Sequence, residues 1–293
     1  MGIVGYADDN MLLSPTLDGL QSMIKTCEHY AKEHNLTFST SKIISKSKTK
    51  CMAFVTTERY LRPMVLCGHE LPWVNSIRHL GNKIENKLDG MRQDMREKRA
   101  QFIQKNNEIC QEFAFADSAT KIKLNSIYNT HFTGSPIWDL VSNAAESIEK
   151  TWNVAIRKML MLDRCTHKYF IEPLSEIQHI KWSLGKRFVK FTQKICESTK
   201  TPIKTLFYTI RGDCQSTTGR NMRHVMSLLN VDSEAQLKPN EFKRLKYHEA
   251  CDEEQKRRID IVKELMSVKR GISQLHHFDN TDIDHMVQYF CTT

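Results

Sequence analysis

Over residues 1 to about 85, short apolar runs alternate with turn-forming residues, and beyond that point the apolar spacing becomes helical. Strand-like runs fall at residues 3–7, 51–55, 64–67 and 77–80. Between the first two, Leu17, Leu20, Met23, Ile24, Cys27, Tyr30 and Ala31 recur at helical spacing, which predicts an amphipathic helix over residues 17–34. From residue 86 a long charged segment carries Met91, Met95, Phe102, Ile103 and Ile109. A helix over 144–161 would align Ile148, Trp152, Ile156 and Leu160 on one face, and further helices are predicted over 173–196 and 253–266. Gly212-Asp213 and Thr218-Gly219 read as loops, and Ser233-Glu234 with Pro239-Asn240 as another break. The prediction is an α+β fold in three parts: an α+β unit over 1–85, a helical region over 86–200 and a helical extension over 201–293, the second boundary falling between 200 and 215.

Composition adds what the pattern cannot. A chain of 293 residues with 40 % hydrophobic content can bury a sizeable core. No run of apolar residues is long enough to span a bilayer, and the first residues carry acids where a secretion signal has bases and then an apolar stretch. An intracellular protein, nuclear or cytoplasmic and without a membrane partner, is expected. The nine cysteines (27, 51, 67, 110, 165, 196, 214, 251, 291) include no Cys-x-x-Cys pair, which speaks against a disulfide framework or a zinc knuckle and for reduced thiols packed as small apolar groups. The segment from His276-His277-Phe278-Asp279 to His285 gathers His and Asp without a ligand spacing and reads as a frayed terminal helix. No phosphate loop, nucleophile elbow or His-Glu-x-x-His helix is present.

The net charge of +9 and the pI near 9.0 favour a polyanionic partner. Lys42, Lys46, Lys48 and Lys50 lie in an acid-free, Ser/Thr-rich segment over 38–50, suited to phosphate contacts without base specificity. Lys181, Lys186, Arg187, Lys190 and Lys194 are interleaved with Trp182, Phe188 and Phe191, again without an acid. At helical spacing Trp182, Leu184, Phe188, Phe191 and Ile195 can form a buried stripe opposite the cations. Two readings stand for this stretch: cations over phosphates with aromatics over bases, or aromatics in the core with lysines in water. Arg92, Arg96, Lys98, Arg99 and Lys105 alternate with Asp89, Asp94 and Glu97, the pattern of a salt-bridged solvent face.

Tyr6-Ala7-Asp8-Asp9 carries the chemistry. Apolar residues on both sides of it predict a β-hairpin over 3–13 with Asp8, Asp9 and Asn10 at its turn. Two adjacent carboxylates repel each other as ordinary surface charge but can share hard divalent cations such as Mg²⁺ through oxygen ligands. Two-metal nucleotidyl transfer has that requirement. Because such a hairpin normally pairs with further strands, its outer edge is expected to be exposed and its amides to exchange quickly.

Gly5-Tyr6-Ala7-Asp8-Asp9 followed by Asn10-Met11-Leu12-Leu13 resembles the metal-binding hairpin of reverse transcriptases, in the form typical of non-LTR (LINE-type, jockey-like) retrotransposons. The stretches Leu36-Thr37-Phe38-Ser39, Lys48-Thr49-Lys50-Cys51-Met52-Ala53-Phe54 and Leu71-Pro72-Trp73-Val74 with His79-Leu80-Gly81 follow in the family's order and resemble the segments that end in the primer-grip hairpin. His131-Phe132-Thr133-Gly134-Ser135-Pro136-Ile137-Trp138-Asp139-Leu140 and Ile171-Glu172-Pro173-Leu174 are similar to sequence downstream of the polymerase core in such elements.

The resemblance implies a partial palm over 1–85, a helical thumb and connection over 86–200, and an RNA-directed DNA polymerase using an RNA template, a DNA primer, dNTPs and Mg²⁺, or Mn²⁺ in its place. It assigns Asp8 and Asp9 as catalytic metal ligands, with Asp8 the more direct. Tyr6, Lys46, Lys48 and Lys50 would contact the nucleotide or its phosphates, and Trp73, His79, Leu80 and Gly81 would form the primer grip. Lys181, Lys186, Arg187, Lys190 and Lys194 would meet nucleic-acid backbone. The family's other metal-binding Asp, on a strand before the hairpin, has no counterpart ahead of Tyr6, so an N-terminal polymerase segment is expected to be missing and the chain by itself not to polymerise DNA. The alternative is a non-catalytic, basic nucleic-acid-binding helical protein derived from a retroelement. A third is that the helices make protein contacts only, for which binding would show flat salt dependence.

Overall fold

A computed structural model describes residues 2–7, 9–41, 47–54, 61–86, 91–128, 132–243, 252–273 and 287. Asp8, Lys42, Lys46 and the segment 276–285 lie outside the described residues. The structure is α+β and mostly helical, with small antiparallel strand pairs. It divides into two compact units, Met1–Asp89 and Gly90–Thr293, close to the boundary expected after residue 85. Across the boundary expected near residue 200, Phe188 and Val189 share one apolar cluster with Phe207, Met222 and Val225.

In the first unit, β1 (Gly2–Tyr6) and β2 (Asp9–Leu13) form the predicted hairpin, from Gly2 opposite Leu13 to Tyr6 opposite Asp9. Helix α1 (Leu17–Glu33) follows, started by Thr16, whose hydroxyl accepts a hydrogen bond from the Gly19 amide at 3.1 Å. Two more hairpins complete the unit: β3 (Met64–Leu66) with β4 (His69–Leu71), and β5 (Ser76–His79) with β6 (Asn82–Glu85). Each closes through two residues of positive φ, Cys67 (52°) with Gly68 (75°) and Leu80 (48°) with Gly81 (77°), the signature of the type I′ turn whose twist matches that of the strands.

The core of this unit holds Ile24 of α1 against Cys51, Met64, Leu66 and Leu71. Gln21 adds a polar clip, since its side-chain amide donates to the Val65 carbonyl (2.8 Å) and accepts from the Val65 amide (2.9 Å). A side chain thereby occupies the place of a neighbouring strand. The strand expected over 51–55 is a correction: among its described residues only Cys51 pairs, in a parallel bridge to Trp73.

In the second unit α2 (Arg92–Glu112) packs on α4 (Asn143–Met159), with α3 (Ser118–Tyr128) beside both. Met95, Phe102, Ile148, Trp152 and Ile156 form its centre, as the apolar spacing over 144–161 predicts. The helix expected over 173–196 is two: α5 (Ile171–Ser175) and α6 (Ile180–Glu197). Glu176 takes a left-handed conformation (φ 57°) and His179 caps α6 through its own ring, whose Nδ1 accepts from the Lys181 amide at 3.3 Å.

Helices α7 (Thr201–Gly212), α8 (Thr217–Leu229) and α9 (Glu253–Ser273) follow. Thr218-Gly219 lies inside the first turn of α8 and is not a loop, because Ser216 caps that helix. A Cβ on Gly219 would stand 2.1 Å from the Asp213 carbonyl oxygen, so only glycine allows this close approach.

The stretch over 132–140 is the hub of this unit. Trp138 is fully buried and its indole N–H donates to Asp94 at 2.8 Å. Asn221 of α8 donates to the Trp138 carbonyl (2.6 Å) and accepts from the Leu140 amide (2.9 Å), while Arg220 pairs with Asp139 at 2.7 Å. Asp94, 1 % exposed, is therefore interior, and so is Lys98, which corrects the expectation of a solvent face at these two positions, while Arg92, Arg96 and Arg99 are exposed. The indole donor and the packing of Met95 between them draw that face inward.

Candidate functional site

At the turn end of the first hairpin, Tyr6 and Asp9 stand opposite each other. Ala7 has φ 52°, a left-handed conformation that a tight two-residue connection demands. The turn thus sits one residue earlier than expected: Asp9 and Asn10 belong to β2, and Asp8 falls between Ala7 and Asp9 outside the described residues. Gly5 faces Asn10, and a Cβ there would lie 2.9 Å from Asn10 Oδ1, so glycine leaves room for that side chain beside the acids. Asp9 is exposed, and among the described residues no hydrogen bond or ion pair engages its carboxylate. An acid held on a strand beside a hairpin turn, engaged by no cation among the described residues, is available to an external one.

The apolar residues of β1 are largely uncovered, with Ile3 60 %, Val4 53 % and Tyr6 64 % exposed. Among the described apolar residues of the hairpin, Leu12 packs against the core of the unit. Two-stranded ribbons are marginal alone. Amides of residues 3–6 are accordingly expected to exchange with solvent within the first time points of a hydrogen-exchange experiment, while those of α4 persist. Strong protection of Val4 to Tyr6 would mean that another strand covers this edge.

Lys48 and Lys50 are exposed on either side of Thr49, which is tied to the Ser39 carbonyl through its hydroxyl at 3.1 Å, while the buried Ser47 donates to the Thr49 carbonyl at 2.7 Å. The hydroxyls anchor the segment and the lysines face water. Trp73 is partly buried, and its indole N–H donates to the Arg62 carbonyl at 3.0 Å. Its backbone forms the isolated parallel bridge to Cys51. His79, Leu80 and Gly81 form the β5–β6 turn, with Leu80 exposed.

The five cations around α6 differ in their surroundings. Arg187 donates to the Phe132 carbonyl at 2.6 Å, and burial lowers its pKa, so it serves the hub more than the surface. Lys181 lies over the Trp182 ring at 5.7 Å. Lys190 and Lys194 are exposed. Phe191, expected in the buried stripe, is exposed as well, and Val189 and Thr192 occupy the core in its place. Periodicity places Phe191 with Phe188 and Leu184, three and seven residues before it, so its exposure is set by packing and carries no sequence signal.

No group of three or more His, Cys, Asp or Glu side chains among the described residues is placed to hold a metal ion. No helix among them is long and apolar enough to cross a membrane. Comparison with family models, with curated proteins and with solved structures gave no match.

Proposed function

We propose that the chain is the C-terminal part of a non-LTR-type reverse transcriptase, from the metal-binding hairpin through the primer grip and thumb, whose full polymerase uses two-metal nucleotidyl transfer. The observation that carries this reading is the first hairpin, in which Tyr6 opposes an exposed and uncommitted Asp9 directly beside the Ala7 turn, with Asp8 next to it in sequence. Mg²⁺ suits such a donor set, because it keeps several waters and is commonly bound through one or two carboxylates together with substrate phosphates. When bound, the ions would activate the primer hydroxyl and stabilise the leaving pyrophosphate. Asp8 and Asp9 would hold them, Tyr6 would stand against the nucleotide, Lys48 and Lys50 would meet phosphates, and the turn at His79-Leu80-Gly81 would support the primer end.

The test is direct. Mn²⁺, read by its paramagnetic resonance signal, is expected to bind the chain weakly, and Asp8→Asn with Asp9→Asn to abolish that binding. Unchanged Mn²⁺ binding in the double variant, or none in the unaltered chain, would remove the hairpin from consideration. Where a further strand supplies the missing carboxylate, Asp8→Ala is expected to lower primer extension by several orders of magnitude. The alternative, a basic nucleic-acid-binding protein without catalysis, is favoured by the exposed Lys48, Lys50, Lys190 and Lys194 and needs no metal.

A further inference from the structure

Of the cations on α6, Lys190 and Lys194 are exposed and four residues apart, which puts them on one face of the helix at a rise of about 6 Å. Lys181 and Arg187 do not belong with them, the first being seated over Trp182 and the second bonded to the Phe132 carbonyl. Phe191 stands between the lysine face and the apolar stripe and is 37 % exposed, although its neighbours on that stripe, Leu184 two turns before it and Phe188 one turn before it, are buried. From Ile180 to Cys196 the helix has no acid, and Glu197 closes the ladder at its C-terminal end. A cationic row of this spacing is complementary to the phosphates of one strand. An exposed ring beside it is complementary to an unpaired base. One ring with two cations lacks the apolar area that an interfacial membrane helix needs.

We propose that this face of α6 binds a single strand of nucleic acid, its phosphates meeting Lys190 and Lys194 and one base stacked on Phe191. The proposal rests on the nucleic-acid partnership of the reading above and adds to it the site and the strandedness. In a duplex the bases are already stacked on one another, so a double helix would meet the lysines and not the ring. Selectivity for single strands therefore comes from Phe191, and salt dependence from the lysines.

The experiment is fluorescence anisotropy of the full chain with a labelled single-stranded oligonucleotide of about twelve nucleotides, within the range such surfaces cover, and with a duplex of the same length. Lys190→Gln/Lys194→Gln is expected to weaken single-strand binding about tenfold at low salt and to reduce the slope of log affinity against log salt by roughly 1.4, at about 0.7 per phosphate. Phe191→Ala is expected to weaken single-strand binding about fivefold or more and to leave duplex binding unchanged. Lys150→Gln/Lys263→Gln removes equal charge elsewhere and should leave both affinities near those of the unaltered chain, with thermal melts confirming that each variant is folded. A Phe191→Ala protein that binds single strands normally, an α6 lysine pair no more sensitive than the control pair, or the absence of salt-dependent binding would each overturn the proposal. If it fails while Mn²⁺ still binds the first hairpin, the polymerase reading stands; if the Mn²⁺ result fails while the α6 pattern holds, that reading falls and this site remains.

Discussion

Asn221→Leu is expected to destabilise the helical unit by roughly 2–5 kcal/mol, among the larger effects of any single substitution in this chain. The amide of Asn221 is buried and uses both its ends, donating to the Trp138 carbonyl at 2.6 Å and accepting from the Leu140 amide at 2.9 Å. Leucine is close in volume but strips both partners, and a buried polar group left unpaired costs about 1–3 kcal/mol each. The loss should reach further than the two bonds, because Trp138 also donates to the interior Asp94, and Asp139 between them pairs with Arg220. For a unit of this size the change corresponds to a fall in melting temperature on the order of 10 °C. Urea denaturation followed by far-UV circular dichroism measures it, and a midpoint within error of the unaltered protein would show that the clamp is dispensable.

The second large effect is on pH dependence. His179 is fully buried, its ring set edge-on to Trp152 at 4.9 Å, its Nδ1 accepting from the Lys181 amide and its backbone N–H donating to Glu172 at 3.3 Å. Burial above all, with Lys181 and Lys168 adding to it, lowers the pKa from 6.5 to about 4, even though Glu149 lies 3.8 Å from Nε2. The unfolded chain therefore binds a proton between pH about 6.5 and 4 that the folded chain refuses. Stability from this group is complete above pH 6.5, falls as the pH drops toward 4 and is flat below, a total of about 3 kcal/mol. Carboxylates elsewhere titrate in the same range, so the measurement is a comparison of unfolding free energy from neutral pH to pH 4 with that of His179→Asn, which keeps a capping side chain and removes the titration. The variant's curve should be flatter by about that amount; parallel curves would mean that His179 gains a proton without penalty.

Much of the first unit was legible because its signals are local. The helix over 17–34 needs only its apolar spacing and Thr16, and the strand-like runs at 64–67 and 77–80 need only their apolar residues, although Cys67 and Leu80 themselves fall in turns with Gly68 and Gly81. What escaped depends on distant partners. Asp94 and Lys98 look like surface charge until the Trp138 indole, 44 residues away in sequence, draws that face inward. The strand over 51–55 needed a pairing edge and found only Trp73. The break between α5 and α6 lies in Glu176, a residue type that gives no warning of left-handed geometry. The candidate site divides in the same way: the acid-bearing hairpin follows from a few adjacent residues, whereas which α6 cations face water, and that Phe191 joins them, follows from packing.

The clamp on the 138–140 stretch has a bearing on how the chain is made. Its two closing hydrogen bonds join residues 83 and 81 positions apart, and the Arg220–Asp139 pair spans 81 as well. On a ribosome adding roughly 5–20 residues per second, α2 and α4 emerge seconds before α8 does, and during that interval Trp138 and its neighbours have no lock. The helical unit should therefore assemble late and as a whole, and a nascent chain stalled ahead of α8 would present its apolar hub to chaperones.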